Sequence, residues 1–372
     1  MNVMKHQILD NWAAVNALAP EWNALLERSR ANTIFLTWEW IAAWRETAGR
    51  DAQPFVVALR DDEGALVGLA PFYRTTLSLM GVMPFSALRI LGDYPTGAEY
   101  GDWIVRTDRE AEATAALSQA LARAGRAWDC IWMPKVSGWT GASDALAKAC
   151  RDGRLLWRSR PKGFGYTPLP ATAEAYRKSL SANKRQQLRA ETKRVSAREN
   201  VRFVRCRTQD ELPRFLDALF DLHYKRRSLL GDEGSFRRKP EEADFYRRFM
   251  PVALDRGWLW LYGMEEGGEL KAVQLGYVYD GVFNQMQEGF DPEFVKGAGN
   301  VLRAHVIDEC IAAGVRGVDF LANMTEHKRR WLAEPRVGAD LFIASPKLKN
   351  RLLIAGPIWP KGQQLRPVRG VS

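Results

Sequence analysis

From Trp258 onward the chain reads "WLWLYGM", "EEGG", "ELKAVQLGYVY", "DG", "VFNQMQEGF" and then "DPEFVKGAGNVLRAHVIDECIAAG". Three β-rich runs joined by tight turns predict an antiparallel meander. The Asp280-Gly281 pair is the sharpest hairpin signal in the chain, because a two-residue turn of that kind needs positive φ at both positions. The third run ends at Phe290, and Gly297 and Gly299 then stand where a helix begins. Leu302, Val306, Cys310 and Ala313 share one stripe on that helix, and Gly314 stops it. A helix N-terminus offers unpaired N–H groups and a positive dipole end. Glycines let an anion approach that backbone with no Cβ in the way. The main-chain donors of Gly297, Ala298, Gly299, Asn300, Val301 and Leu302 are therefore read as a cradle for a diphosphate. A third glycine is missing and the preceding strands read as antiparallel, so this is not the dinucleotide-binding fingerprint.

The remaining chain alternates helices and strands, which predicts a mixed α/β fold. "NWAAVNALAPEWNALLERS" reads as amphipathic helix, broken at Pro20, and "TWEWIAAWRETAG" as a helix capped by Thr37. "PFVVALR", "DDEG" and "ALVGLAPFYR" form a hairpin pattern, followed by a strand "EYGDWIV", a helix "DREAEATAALSQALARAG", a buried strand "WDCIWMP" and a helix "GASDALAKACRDG". "SRPKGFGYTPLP" reads as a linker. Two further helices, "ELPRFLDALFDLHYKRRSLLG" and "PEEADFYRRFMPVALDRG", lead into the meander. After the glycine helix come a buried strand "VRGVDFLA", a short "EHKRRW" helix and a last strand "VGADLFIA". Both halves share one order of helices, hairpin, strand and helix. At 372 residues, two domains are the expectation.

The formal charge of +10 is concentrated. Arg177 to Arg207 holds eleven Lys and Arg against two Glu, a surplus of nine. Leu180, Leu188 and Val195 give this helical segment a narrow apolar seam, and the basic side chains wrap the rest. Such a block attracts an anionic partner such as a nucleotide, a lipid headgroup or tRNA, and it also suits a solvated helix face. Cys130, Cys150, Cys206 and Cys310 are scattered without a CxxC pair, and the four histidines are equally dispersed. That argues against a metal site and fits a reducing, cytoplasmic setting. No apolar run reaches the length of a membrane span, and the N-terminal "MNVMKHQILDNW" lacks the apolar core of a secretory signal.

Several of these segments, taken in order, carry a family resemblance. They are "APEWNALLERSRANTIFLTWEWIAAWRETAG", "SANKRQQLRAETKRV", "LHYKRRSLLG", "GFDPEFVKGAGNVLRAHVIDECIAAGVRGVDFL" and "HKRRW". Over roughly residues 19–331 the chain resembles the GNAT-type acyltransferases, and more closely a CelD-like, cellulose-biosynthesis-associated branch related to FemAB-type transferases. The resemblance implies an α/β (α+β) chain of two tandem GNAT-like units, each a mixed, mostly antiparallel sheet flanked by helices. It implies a degenerate first unit at 1–160, an acyl-CoA-binding unit at 161–345 and a basic tail at 346–372. The glycine loop would hold the diphosphate of acetyl-CoA or another acyl-CoA. Two positions depart from the pattern. Phe294 stands where the signature has Gln or Arg, and His327 replaces the Tyr that commonly precedes Lys328.

Acyl transfer from a thioester needs a nucleophile relieved of its proton and donors for the tetrahedral oxyanion. Glu288 and Asp291, at the exit of the third strand, are candidates for the base, although Asp291 before Pro292 also suits a turn. His223 and Tyr224 in "LHYKRRSLLG" and His327 in "EHKRRW" are candidates for acid, base or phosphate contact; packed or capping roles are the alternative. Tyr277 is a further proton donor in reach of sequence logic. Lys328, Arg329 and Arg330, with Lys184, Arg185 and Arg189, are candidates for phosphate binding. Asp319 interrupts a buried strand, which calls for a structural partner. The expected acceptor is small and polar or sugar-derived, with a link to polysaccharide biosynthesis. Aminoacyl-tRNA-dependent transfer and a non-catalytic binding role are the alternatives, and the basic tail offers peripheral membrane contact.

Overall fold

The computed structural model describes residues 4–79, 83–139, 142–153, 155–348, 350 and 351. Most of the basic tail therefore lies outside the described residues. The chain forms two compact units that interleave along the sequence. The first takes residues up to 94, 98–162 and everything from 337 onward; the second takes 95–97 and 163–336. The expected linear division at 160/161 and 345/346 gives way to this arrangement at the last strand, whose residues from 337 count with the first unit.

In the first unit, β1 (Lys5–Leu9), α1 (Trp12–Asn16), α2 (Ala19–Glu27) and α3 (Trp38–Glu46) precede β2 (Gln53–Arg60), β3 (Leu66–Leu79) and β4 (Met83–Ile90). A two-residue β5 (Ile104–Val105) leads to α4 (Glu110–Arg123), β6 (Cys130–Val136), α5 (Ala142–Asp152) and the start of β7 (Leu156–Pro168). Pro20 sits in the first turn of α2, where its missing N–H costs nothing, and Thr37 caps α3 through the Trp40 amide. Trp22, Trp40 and Trp44 are buried, so the tryptophan-rich start is core. The "SRPKGFGYTPLP" passage is not a linker: its residues through Pro168 extend β7. Phe164, Gly165 and Thr167 there are buried, and their strand pairs with β12.

The second unit continues with α6 (Ala173–Ser179), α7 (Ala182–Ser196), β8 (Val201–Arg205), α8 (Leu212–Ser228), α9 (Ser235–Arg238) and α10 (Pro240–Asp255). The meander follows as β9 (Leu259–Glu266), β10 (Glu269–Tyr279) and β11 (Val282–Phe290), then α11 (Ala298–Ala312), β12 (Gly317–Ala322) and α12 (Glu326–Arg329). The last strand is β13 (Glu334–Ala344). Asp280 and Gly281 both take positive φ, 43° and 67°, as the hairpin turn requires.

Each unit runs an antiparallel three-strand meander, a crossover helix and a strand that returns parallel to the third. These are β2-β3-β4, α4 and β6 in one, and β9-β10-β11, α11 and β12 in the other. The twofold order read from the sequence is thus a twofold topology, mixed α/β and mostly antiparallel. β13 completes the first unit by pairing antiparallel with β6.

The core of the second unit gathers α7, α11 and the meander around Leu180, Val195, Leu302, Val306, Cys310 and Trp331. Each such apolar side chain contributes about 1.5–3 kcal/mol by leaving water. The β11–β12 ladder is short. It joins Val282, Phe283 and Asn284 to Gly317, Val318 and Asp319 and stops there. Asp319 accepts the Leu321 N–H at 2.8 Å, which supports the positive φ of Leu321 where the β12–β7 register slips. Beyond Asn284, β11 continues to Phe290 beside β10 alone, and the parting of the two parallel strands leaves room for a cleft.

Candidate active site

A cleft of about 410 Å³ opens at the C-terminal end of β11. Its walls come from β10 (Val273, Gln274), the end of β11 (Glu288 to Phe290), the start of α11, and Gln187 and Glu191 of α7. Arg226, Arg303 and His327 complete it. Gly289 lets β11 lie against α8, because a Cβ there would strike the backbone of Leu222 and His223.

The glycine turn read from the sequence opens α11. Gly297 is the N-cap of α11 at φ 97°, a conformation that other residues rarely adopt. A Cβ on Gly297 would collide with the side chain of Glu191, and one on Gly299 would press on the Phe290 ring at 3.2 Å. The Ala298 amide is used by a turn to the Val295 carbonyl, and the Val301 amide by the first helical bond to Gly297. Among the described residues no acceptor meets the amides of Gly297, Gly299 and Asn300, and no side chain caps the helix. Three of the expected donors are therefore open. Leu302 lines the cleft, and Val301 points into the core. Phe294 does not plug the loop: it packs on the core, with the Arg198 guanidinium 5.5 Å from its ring.

Deeper in the cleft, polar side chains are linked across four elements. Glu288 on β11 takes Arg226 of α8 on one oxygen at 2.8 Å and the buried Arg303 of α11 on the other. Arg303 also donates to Nε2 of His327 on α12, at 3.1 Å. Guanidinium only donates, so His327 is a neutral imidazole with its proton on Nδ1. Lost hydration first, then the Arg303 charge, push His327 down to about 4. Burial raises the Glu288 carboxyl, but Arg303 and Arg226 outweigh it and hold the group below the usual range. Lys184, buried on α7, stands 4.0 Å over the Trp331 ring, and desolvation brings its ammonium down to about 8.

The other candidates lie elsewhere. Asp291 accepts the Glu293 amide at 3.0 Å and makes a turn after the strand, as its place before Pro292 suggested. His223 is buried against Phe236 and beside Gly234, and desolvation lowers it to about 4. Tyr224 lies under the Arg237 guanidinium, 3.1 Å from ring centre to charge. Lys328 does not reach the cleft. Its ammonium donates to the carbonyls of Phe320, Leu321 and Ala322 at 2.6, 3.1 and 2.6 Å, which fastens α12 to the end of β12.

The cleft residues that escaped the sequence reading include Arg226, Arg303 and Glu191. The signals existed. Arg303 adjoins Leu302 and precedes Val306 by three, so it lies beside the buried stripe. Glu191 sits between Leu188 and Val195 on the apolar seam of a basic helix, where a carboxylate needs a reason.

Residues 182–329 match the family model described as an acetyltransferase (GNAT) domain. No curated protein matches the chain. Among solved structures, FemX superposes with a TM-score of 0.64 at 9% identity, covering 94% of this chain and 99% of FemX. The C-terminal domain of a putative lysylphosphatidylglycerol synthetase from Agrobacterium fabrum gives 0.53 at 11% identity, covering 91% and 95%. The L-PGS of Bacillus licheniformis gives 0.52 at 12% identity, covering 90% and 95%. At these identities the likeness is one of fold, and it extends over nearly the whole of each chain.

Proposed function

We propose, from the match of residues 182–329 to the acetyltransferase (GNAT) domain model, that this protein transfers an acyl group from a thioester such as acetyl-CoA. The acceptor would be an amino or hydroxyl group on a small polar or sugar-derived molecule. One observation carries the reading. The open amides of Gly297, Gly299 and Asn300 face a 410 Å³ cleft at a helix N-terminus with no Cβ over Gly297 or Gly299. Main-chain donors placed this way fit a diphosphate, whose negative charge the helix dipole favours.

The thioester supplies the activated carbonyl when bound; the chain supplies position and charge. Holding donor and acceptor side by side in the cleft removes most of the entropic barrier to direct attack, so no covalent enzyme intermediate is required. Glu288 has both oxygens occupied by arginines, so it is assigned as the anchor of the charged network rather than the base. His327 keeps a neutral Nδ1–H, and the arginines add positive charge to the same wall. A donor pre-set in this way stabilises negative charge as it builds on a carbonyl oxygen. On this reading the first unit does not share the role, because Glu110 and Glu112 occupy the first turn of α4 and repel an anion.

Isothermal titration of the whole chain with acetyl-CoA tests the reading, followed by thioester turnover on a panel of amines and sugars. Saturable binding that Gly297→Ala abolishes is expected. A silent titration with both glycines intact removes the proposal. A second reading, aminoacyl transfer from tRNA, is favoured by the exposed Arg189 and Lys193 of α7. Retention of tRNA that fades with added salt supports it, and absence of retention eliminates it.

A further inference from the structure

Glu191 is 4% exposed, yet it lies at the open end of a helix that asks for an anion. Its Oε1 accepts Nε2 of Gln187 at 2.9 Å and Nδ2 of Asn300 at 3.1 Å, while its buried Oε2 has no partner. Its side chain packs on the Cα of Gly297, in the space a Cβ would fill. The residue therefore brings a negative charge to the α11 N-terminus without bonding the amides that are open there. It also leaves one of its own buried oxygens without a hydrogen bond, which is unfavourable.

We propose that Glu191 is a resident counter-anion of the α11 cradle, which the diphosphate of an acyl donor must displace. The side chain then sets how tightly phosphorylated donors are held. Two arguments support this. A carboxylate packed on Gly297 and a diphosphate on the neighbouring amides are like charges in a poorly hydrated corner, where their repulsion is strong. The carboxylate is also poorly seated: it satisfies two side-chain amides with one oxygen and bonds nothing with the other, and the Lys184 ammonium attracts it through charge without a hydrogen bond, so a better-bonded anion can take its place. In the absence of donor the dipole end of α11 is thus partly neutralised by the chain itself. Donor arrival frees the Asn300 and Gln187 amides for new partners. This inference rests on the acyl-donor reading of the same cleft.

The test uses the whole chain with Glu191→Gln and Glu191→Ala, titrated with coenzyme A and, separately, with inorganic diphosphate. Glu191→Gln keeps the shape and an acceptor oxygen, and thermal melting reports whether each variant is folded. Tighter binding by roughly tenfold or more is expected in Glu191→Gln, the size of a 1.4 kcal/mol repulsion removed. If both folded variants bind as the wild type does, or more weakly, Glu191 is a scaffold for Asn300 and the proposal falls. If Glu191→Gln gains affinity for diphosphate while no form holds coenzyme A, the counter-anion stands and the coenzyme A reading fails. If no form binds either probe, both fall.

Discussion

Arg303 clasps Glu288: a buried guanidinium on α11 closes on a carboxylate at the end of the neighbouring strand. The pair ties α11 to β11 at the depth of the cleft, and Arg226 and His327 extend it to α8 and α12. A buried ion pair contributes less to net stability than to holding one arrangement, but removing a single partner strands the other charge.

Arg303→Met should therefore destabilise the protein by about 1–3 kcal/mol, because the half-buried Glu288 would keep only Arg226. The double variant Arg303→Met/Glu288→Gln should recover part of that loss. Urea denaturation midpoints of the three proteins check this; a double variant no more stable than the single one contradicts it.

Gly297→Ala should cost about 1–2 kcal/mol from the left-handed backbone alone, and more from the collision with Glu191. Combining it with Glu191→Gly removes the collision and should restore part of the loss. Thermal melts of the single and double variants decide the point.

Stability should fall on acidification from about pH 6.5 to pH 4. His223, lowered to about 4 by burial, stays neutral in the folded protein while the unfolded chain binds its proton. More protons bound when unfolded means stability rises with pH through that window, and His223 can account for up to about 3 kcal/mol of it. Glu288, held low by its arginines, adds stability that persists above the ordinary carboxylate range and is lost as pH drops through its folded value. His223→Gln should remove the His223 share of that slope and leave the share of His327, which is likewise lowered to about 4, read from unfolding free energies at pH 7, 5.5 and 4.

Lys328→Met should destabilise by about 1–3 kcal/mol, since three carbonyls lose one donor. The affinity for coenzyme A should stay unchanged. A selective loss of affinity in a fully stable variant would return Lys328 to the phosphate-binding role its sequence position suggested.

Local chemistry that writes itself into short spacing was legible. Asp280-Gly281, the stripe on α11 and the glycines before it all appear where their residue types demand. Contacts that close only in three dimensions were not. Nothing near Glu288 in sequence announces that residues 15 positions on, in α11, and 62 positions back, in α8, take both of its oxygens. Lys328 misled for the same reason: beside Arg329 and Arg330 it reads as part of a basic cluster, and only folding brings three strand carbonyls to its ammonium. The Pro/Gly content of "SRPKGFGYTPLP" resembled a linker because turn-forming residues outweigh period-two burial in so short a window. The short β1, β4 and β8 were not read at all.

The interleaving of the two units has a consequence for the order of events at the ribosome. Residues 163–336 have all been synthesised before the stretch that pairs with Cys130–Val136 exists. The half of the protein made first must wait, with one flank of β6 unpaired, while the half made second is already able to close. An emerging chain thus holds every residue of the glycine cleft before it holds the strand that completes the unit preceding it.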